Sequence, residues 1–339
     1  MEPVRVLIVD DSAFRREALK AMLITDRGIK VVGEAKDGIE AIEMARQLRP
    51  SVITMDFKMP RMDGEEATKF IMAKTPTPII VISASIENQM KFTFRCLELG
   101  ALDFVPVRYD TEKMAQELID KVKVVSRVKV IRHIRPEIVC KIKSRIKPVK
   151  KRKVTTKIVA IAVSTGGPQA LEQILPCLPA DFPTGIIIVQ HIAERFSKEL
   201  AKWLDEKSKM TVREAGNGDR IKPGVVLFAP GGLHLVVEKD GSVRLSKEPK
   251  ELVNIPSADV MLESVAKVYG PKALGIIMTG MGSDGAKGVA AIKESGGMTI
   301  AQDEKSSMVF GMNKVAIESG SIDRIVSLPN IADTVMDMM

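Results

Sequence analysis

Three polar residues in the second half of the sequence are of the types that nucleophilic catalysis requires. Ser164 precedes a pair of glycines, His191 follows the apolar run 186–189, and Asp284 lies in a glycine-rich turn after residues 273–278. A serine hydroxyl is a weak nucleophile until a base takes its proton, and that base needs a carboxylate to hold its tautomer. The three residues therefore predict a Ser-His-Asp triad.

Each of these residues follows a short apolar run, which predicts a buried strand. Residues 158–163 form such a run, and Pro168 suits the first turn of a helix that we expect from Gln169, with Gly167 as its N-cap. Taken alone, the stretch around Ser164 favours a small residue in a tight turn. Because the carboxyl ends of parallel strands open into one crevice, the two further strand ends reverse that preference and favour catalysis.

Other histidines and acids compete for the base and acid roles. His133 lies in a basic segment, and His234 is predicted on a hairpin strand before an Asp240-Gly241 turn. The rival acids are Asp219, Asp259 and Asp303. Asp284 alone follows a buried strand into a glycine-rich turn, and its structural alternative is the N-cap of the next helix.

The glycine-rich turn also fits a second pattern. Residues 280–285 read Gly-Met-Gly-Ser-Asp-Gly, which matches the GxGxxG form of a dinucleotide-binding loop, and Asp303 follows near the spacing expected for a ribose-binding acid. Too little chain remains for a two-half nucleotide fold, and Asp284 would repel a pyrophosphate. The triad is therefore the preferred interpretation.

A second set of polar residues follows the strands predicted before residue 120. Asp10 and Asp11 follow the first strand, Asp56 the third and Ser83 the fourth. Clustered carboxylates repel one another unless a hard cation lies between them, and Mg²⁺ suits oxygen ligands that share it with a phosphate. We predict that Asp56 attacks a phosphoryl group and that Ser83 hydrogen-bonds a phosphate oxygen. The structural alternative for Asp10 and Asp11 is capping of the helix that follows.

Alternating apolar and helical patterns predict two α/β domains. We expect a five-stranded, doubly wound domain at 1–122, a basic linker at 123–153, and a three-layer α/β/α domain with a mainly parallel sheet at 154–339. The net charge of the 339 residues is +8, but residues 121–153 carry fourteen Lys and Arg against one acid, which leaves 37 basic and 42 acidic residues elsewhere. The basic segment favours a solvated linker over docking on an anionic surface. A DNA-binding regulator is disfavoured because no helix-turn-helix pattern follows.

Several sequence features favour a cytoplasmic protein. No apolar run has the length of a membrane span, and the N-terminus lacks the apolar core of a signal peptide. The three cysteines, Cys96, Cys140 and Cys177, have no metal-ligand spacing, so we expect no structural zinc.

The motifs LIVDDS, MDFKMPRMDG and VISAS resemble the response-regulator receiver domain, which has a flavodoxin-like fold. The resemblance implies Asp56 as phosphoacceptor, Asp10 and Asp11 as acidic-pocket residues, Mg²⁺ held by Asp11 and Asp56, and a histidine kinase as phosphodonor. Receivers usually carry Lys-Pro after the fifth strand, where this chain has Val107 and Arg108, and alternation along the strand predicts that Arg108 points away from the pocket. We therefore predict weaker activation by a phosphodonor than in relatives with lysine.

The motifs VSTGGPQAL, IVQHI, APGGLHL, MTGMGSDGA and DEKSSMVFGM resemble the catalytic domain of the chemotaxis receptor methylesterase family, CheB. The resemblance implies Ser164 as nucleophile, His191 as general base, Asp284 as its partner and the Met281 N–H in the oxyanion hole. The family usually has Gly-Ala before the serine, whereas this chain has Ala162-Val163, a change that removes no reacting group.

The implied substrates of this family are γ-glutamyl methyl esters on the cytoplasmic domains of chemoreceptors. They are hydrolysed to glutamate and methanol without a cofactor, and particular receptor glutamines are deamidated. The resemblance also implies that the unphosphorylated receiver blocks the active-site face, and that the enzyme is recruited to receptor clusters at the membrane. Nucleic acid is not an expected partner.

Overall fold

The computed structural model describes residues 2–83, 87–107, 110–128, 130 and 156–339, with only the backbone of 87–91. The chain divides near residue 134 into two compact units. Most of the basic segment, His133 and Arg108 lie outside the described residues, and the exact domain boundaries remain a prediction. Within the described residues, no helix is both long enough and apolar enough to cross a membrane.

The first unit alternates strands and helices as predicted. Its strands are β1 (Val4–Val9), β2 (Ile29–Ala35), β3 (Val52–Asp56), β4 (Ile79–Ser83) and β5 (Asp103–Pro106). Its helices are α1 (Ala13–Leu23), α2 (Gly38–Leu48), α3 (Gly64–Lys74), α4 (Glu87–Glu98) and α5 (Thr111–Val125). All strand pairs are parallel in the order β2-β1-β3-β4-β5, which is the flavodoxin-like order and confirms the predicted fold class.

The second unit contains a seven-stranded parallel sheet in the order β14-β13-β12-β6-β7-β9-β8. These strands are β6 (Ile158–Val163), β7 (Gly185–Gln190), β8 (Thr211–Glu214), β9 (Val225–Phe228), β12 (Ala273–Ile277), β13 (Met298–Gln302) and β14 (Arg324–Val326). A separate antiparallel hairpin joins β10 (His234–Val237) to β11 (Val243–Ser246). The helices are α6 (Gly167–Ile174), α7 (Glu194–Asp205), α8 (Ala258–Tyr269), α9 (Ala286–Glu294), α10 (Met312–Glu318) and α11 (Leu328–Met336).

The strand order of the second unit reverses direction at β6. The chain leaves β6 for β7 on one side, and later passes from β12 to β13 on the other side. Right-handed crossovers, the rule for parallel strands, place α6 and α9 on opposite faces of the sheet. The helices accordingly pack in two groups, α6 with α11 and α9 with α8 and α10, which gives three layers. The adjacent strands β12, β6 and β7 are completely buried. Their carboxyl ends border the switch point at which sheets of this kind bind ligands.

Candidate active site and acidic pocket

Ser164 lies directly beyond β6, where the chain leaves the sheet for α6. Its N–H donates to the Thr279 carbonyl at 3.0 Å, and its carbonyl accepts from the Gly167 N–H at 2.8 Å. Gly166 has a φ of 79°, a left-handed conformation that glycine adopts readily, and it is the N-cap of α6. The predicted N-cap at Gly167 and helix start at Gln169 are therefore wrong, because the left-handed turn comes one residue earlier.

His191 lies directly beyond β7, the strand that pairs with β6. Its N–H donates to the Val163 carbonyl at 3.1 Å, which holds the loop against the end of β6. The ring Nε2 is 2.7 Å from Oδ2 of Asp284, and the histidine side chain is only 12% exposed. Since Nε2 is engaged by the carboxylate, Nδ1 is the ring nitrogen that remains to accept a proton.

The Asp284 carboxylate is held by donors from a second helix as well as by His191. It accepts from the Ser257 hydroxyl at 2.8 Å and from the N–H groups of Ala258 and Asp259 at 2.8 and 3.0 Å, all at the start of α8. Burial raises the pKa of Asp284, but the hydrogen bond and charge of His191 and the two N–H groups outweigh it and lower that pKa to about 2. The carboxylate is therefore ionised throughout the neutral pH range.

Asp284 does not cap the helix that follows it. The N-cap of α9 is Gly285, and the Asp259 carboxylate accepts from the N–H groups of Gly285 and Gly288, both at 2.8 Å. The acid that follows β12 thus caps α8, while an acid of α8 caps α9. This exchange fixes Asp284 in space and occupies Asp259, which was a rival partner for His191.

The Ser164 hydroxyl is not paired with the His191 ring. Both residues are described, and within the described residues no hydrogen bond joins Ser164 Oγ to His191. In enzymes without bound substrate, catalytic hydrogen bonds are often long and tighten only when substrate binds. The two residues follow the paired strands β6 and β7 at the same edge of the sheet.

The loop after β12 packs directly against the serine. A Cβ built on Gly280 would lie 2.7 Å from the Ser164 Cβ and would also overlap Met312 Sδ, so only glycine fits. The next residue, Met281, is 43% exposed, and its N–H has no hydrogen-bond partner within the described part of the chain. An unpaired N–H that follows a residue in contact with the nucleophile is what an oxyanion site needs.

Gln190, which was not predicted from the sequence, joins the serine and histidine loops. This buried side chain donates through Nε2 to the carbonyls of Ser164 at 2.8 Å and of His191 at 3.0 Å. A Cβ on Gly167 would overlap Gln190 Oε1, so the glycine leaves room for it. The available signal was a polar residue at the end of an otherwise apolar strand, GIIIVQ.

The other histidine and acids considered for the roles of base and partner have structural roles. His234 is fully buried, accepts from the Ser257 N–H at Nδ1 and donates from Nε2 to the Pro249 carbonyl, which agrees with the predicted hydrogen-bonded strand histidine. Its hydrogen bond to Ser257 supports a donor to Asp284. The other two acids are engaged elsewhere, Asp219 by Arg213 and Asp303 by Ser306.

The acidic pocket of the first unit forms at the ends of β1 and β3. Asp10, Asp11 and Asp56 each offer a carboxylate oxygen, and these oxygens all lie within 4.8 Å of one another. The three carboxylates converge on the guanidinium of Arg15, which contacts each of them. Ser83, at the end of β4, is buried and shares a hydrogen bond with the Thr93 hydroxyl.

The chemistry of this pocket fits Mg²⁺. All three side chains supply oxygen, and Asp10 Oδ2 is buried without a hydrogen-bond partner in the described residues. Burial and the charge of Asp10 raise the pKa of Asp56 to about 6, although Arg15 and the Phe57 N–H act in the opposite direction. Burial is the largest cause of this shift, and the charge of Asp11 adds to that of Asp10.

The position of the usual receiver lysine is occupied by a valine at the end of β5. Val107 is 36% exposed, and its N–H donates to the Ser83 carbonyl at 2.8 Å. The predicted orientation of Arg108 falls outside the described residues and stays a prediction.

Comparison with known proteins agrees with the division of the chain into two units. A family model for the response regulator receiver domain matches residues 6–119, and a model for the CheB methylesterase matches residues 159–335. The class is thus a response regulator whose second domain is an esterase domain. Relatives that match nearly the whole chain narrow this class further, because they show that the chain belongs to the CheB methylesterase family.

Two relatives illustrate the similarity. The protein-glutamate methylesterase/protein-glutamine glutaminase of Pyrococcus abyssi is 44% identical over 98% of this chain and 93% of its own length. The protein of the same name from Archaeoglobus fulgidus is 43% identical over 98% of this chain and 97% of its own length. Among solved structures, the CheB methylesterase catalytic domain of Thermotoga maritima is 41% identical, covers 55% of this chain and all of its own, and has a TM-score of 0.53.

Proposed function

We propose that this protein is a phosphorylation-regulated serine esterase that hydrolyses glutamate methyl esters on chemoreceptors to glutamate and methanol. The observation that carries the proposal is the 2.7 Å contact between His191 Nε2 and Asp284 Oδ2 beside the strand end that bears Ser164. The names of the similar proteins from two archaea support the choice of substrate.

The reaction follows from the groups at the three strand ends. Ser164 Oγ attacks the ester carbonyl while His191 takes its proton at Nδ1, and the Met281 N–H stabilises the oxyanion. The imidazolium is stabilised by Asp284, which stays ionised. His191 then returns the proton to the departing methoxide, and water attacks the acyl-enzyme to release glutamate. Expulsion of ammonia from a glutamine side chain by the same route gives the deamidation.

The acidic pocket supplies the regulation. Asp56 is the phosphoacceptor, Asp10 completes the acidic pocket, and Ser83 hydrogen-bonds the phosphoryl group donated from a histidine kinase. Asp11 and Asp56 would hold Mg²⁺, which supplies positive charge for the phosphoryl oxygens. In this proposal the unphosphorylated receiver blocks the active-site face, and the enzyme works in the cytoplasm at receptor clusters. The esterase reaction needs no cofactor, because its base and oxyanion donor are protein groups.

Release of methanol from methylated chemoreceptor tests this proposal, with and without a small-molecule phosphodonor. Ser164→Ala is expected to abolish release while the fold is retained. Ser319→Ala is the matched control, because it removes an exposed serine of the same unit, after α10 and outside the candidate site, and is expected to keep activity. Full activity of Ser164→Ala, or equal loss in both variants, would contradict the triad.

A further inference from the structure

Arg15 lies among the three carboxylates of the acidic pocket. Its Nε is 2.9 Å from Asp10 Oδ1, and its Nη2 is 2.9 Å from Asp11 Oδ1 and 2.8 Å from Asp56 Oδ2. One nitrogen therefore contacts both residues expected to bind the metal. Charge-assisted hydrogen bonds of this length are among the stronger polar contacts in proteins.

A metal ion at this place would need the same oxygens. Mg²⁺ coordinates carboxylate oxygens at about 2.0–2.1 Å and demands near-octahedral geometry, so it leaves little freedom to use other atoms. Two positive charges that share the same carboxylate oxygens in a part-buried pocket also repel each other strongly. The guanidinium and the ion are therefore alternative occupants of the contacts made by Asp11 and Asp56.

Arg15 has a path out of the pocket. It belongs to the first turn of α1, and its side chain is 38% exposed although its partners Asp10 and Asp56 are nearly buried. Within the described residues, its side chain makes hydrogen bonds and ion pairs only with the three pocket carboxylates, so outward rotation breaks no other polar contact there. The side chain can accordingly exchange between the carboxylates and solvent.

We propose that Arg15 is a built-in counter-ion that competes with Mg²⁺ for Asp11 and Asp56, so that metal binding requires the guanidinium to leave. The inference rests on the proposed role of this pocket in phosphorylation. According to this inference, Arg15 sets the Mg²⁺ concentration at which Asp56 becomes able to accept a phosphoryl group.

Calorimetric titration of the full-length, chelator-treated protein with MgCl₂ tests the competition. Arg15→Gln is expected to lower the dissociation constant for Mg²⁺ on the order of tenfold, because the ion no longer displaces a bound cation. The matched control is Lys20→Gln, which removes the same charge from α1 but from a side chain that contacts Glu34 and Glu17. It is expected to change the constant less than about twofold, since exposed charges outside the pocket are screened.

Two further measurements separate the inference from the proposed function. Asp11→Asn added to Arg15→Gln is expected to remove the binding heat, which assigns it to this pocket. The Mg²⁺ concentration for half-maximal phosphorylation of Asp56, followed by intact-protein mass, is expected to fall with the dissociation constant. Equal constants in wild type and Arg15→Gln, with Asp56 still phosphorylated, would overturn the competition alone. Absence of Mg²⁺ binding in both proteins would overturn the competition together with the cofactor.

Discussion

Two carboxylates that follow strands of the two parallel sheets have pKa values shifted in opposite directions. Asp284 of the second unit accepts from His191 and from three donors at the start of α8, and its pKa falls to about 2. The pKa of Asp56 of the first unit is raised to about 6 by burial and by the charge of Asp10. Arg15 and one backbone N–H lower this pKa, but they do not outweigh the two raising effects. The two side chains are similarly exposed, 11% for Asp56 and 12% for Asp284, so the number and charge of their partners decide the direction.

The comparison separates two kinds of site. An acid that orients a histidine must remain charged through the reaction, and the folded chain supplies every donor it needs in advance. The acidic pocket instead has three carboxylates against one guanidinium, and an oxygen of Asp10 that is buried without a partner in the part of the chain that the structure describes. The Asp284 carboxylate thus has its donors within its own unit, whereas the acidic pocket is built to gain positive charge.

The largest effect is expected from removing the charge of Asp284. Asp284→Asn preserves shape but presents an amide to His191 and destroys the preference for the productive tautomer, so we expect kcat for methanol release to fall about 10⁴-fold. Asp219→Asn is the control, because it changes an acid paired with Arg213. A similar small loss in both variants would show that the charge of Asp284 is not used in catalysis.

A smaller loss is expected from crowding the nucleophile. Gly280→Ala places a methyl group 2.7 Å from the Ser164 Cβ, so either the serine or the oxyanion loop must shift. We expect kcat to fall about 10²–10³-fold, the range seen when one oxyanion donor is lost. Gly216→Ala is the control, because its Cβ would meet nothing closer than 3.4 Å. Unchanged kcat in Gly280→Ala would mean that this loop does not position the reacting groups.

The sequence predicted those features of both sites that depend on strand ends. Ser164, His191 and Asp284 were predicted because parallel strands bring their carboxyl ends to one edge, and the same reasoning predicted Asp56. The structure places the first three after the adjacent strands β6, β7 and β12, and their catalytic roles stay a prediction. The sequence could not show that Asp284 caps α8, because that contact joins segments that are distant in the chain, and no local sequence pattern indicates it. Arg15 escaped prediction for a related reason, since a charged residue in the first turn of a helix ordinarily remains in solvent.

The lowered pKa of Asp284 also predicts how stability depends on pH. A carboxyl whose pKa falls from 3.8 to about 2 on folding stabilises the protein above the higher value and loses that contribution as the pH falls through the lower one. From this residue we expect wild type to lose roughly 2 kcal/mol of unfolding free energy between about pH 4 and pH 2, and Asp284→Asn to lose none of it. Chemical denaturation of both proteins across this interval measures the difference. A difference that does not vary with pH would contradict the assignment.

The smallest effect concerns the missing lysine of the receiver. Val107 follows β5 and is tied through its N–H to Ser83, at the end of the strand beside the one that carries Asp56. Val107→Lys places a second cation near a pocket that Arg15 neutralises only in part. For a half-exposed charge we expect activation by a phosphodonor to rise about two- to fivefold.

Val107→Met is the matched control for this substitution, because it adds comparable length without charge. The ratio of methanol release with and without phosphodonor, measured at saturating Mg²⁺, compares the two variants with wild type. Equal ratios in the lysine and methionine variants would mean that position 107 does not limit the signal. Strong Mg²⁺-dependent activation of the wild type would refute the predicted weakness directly.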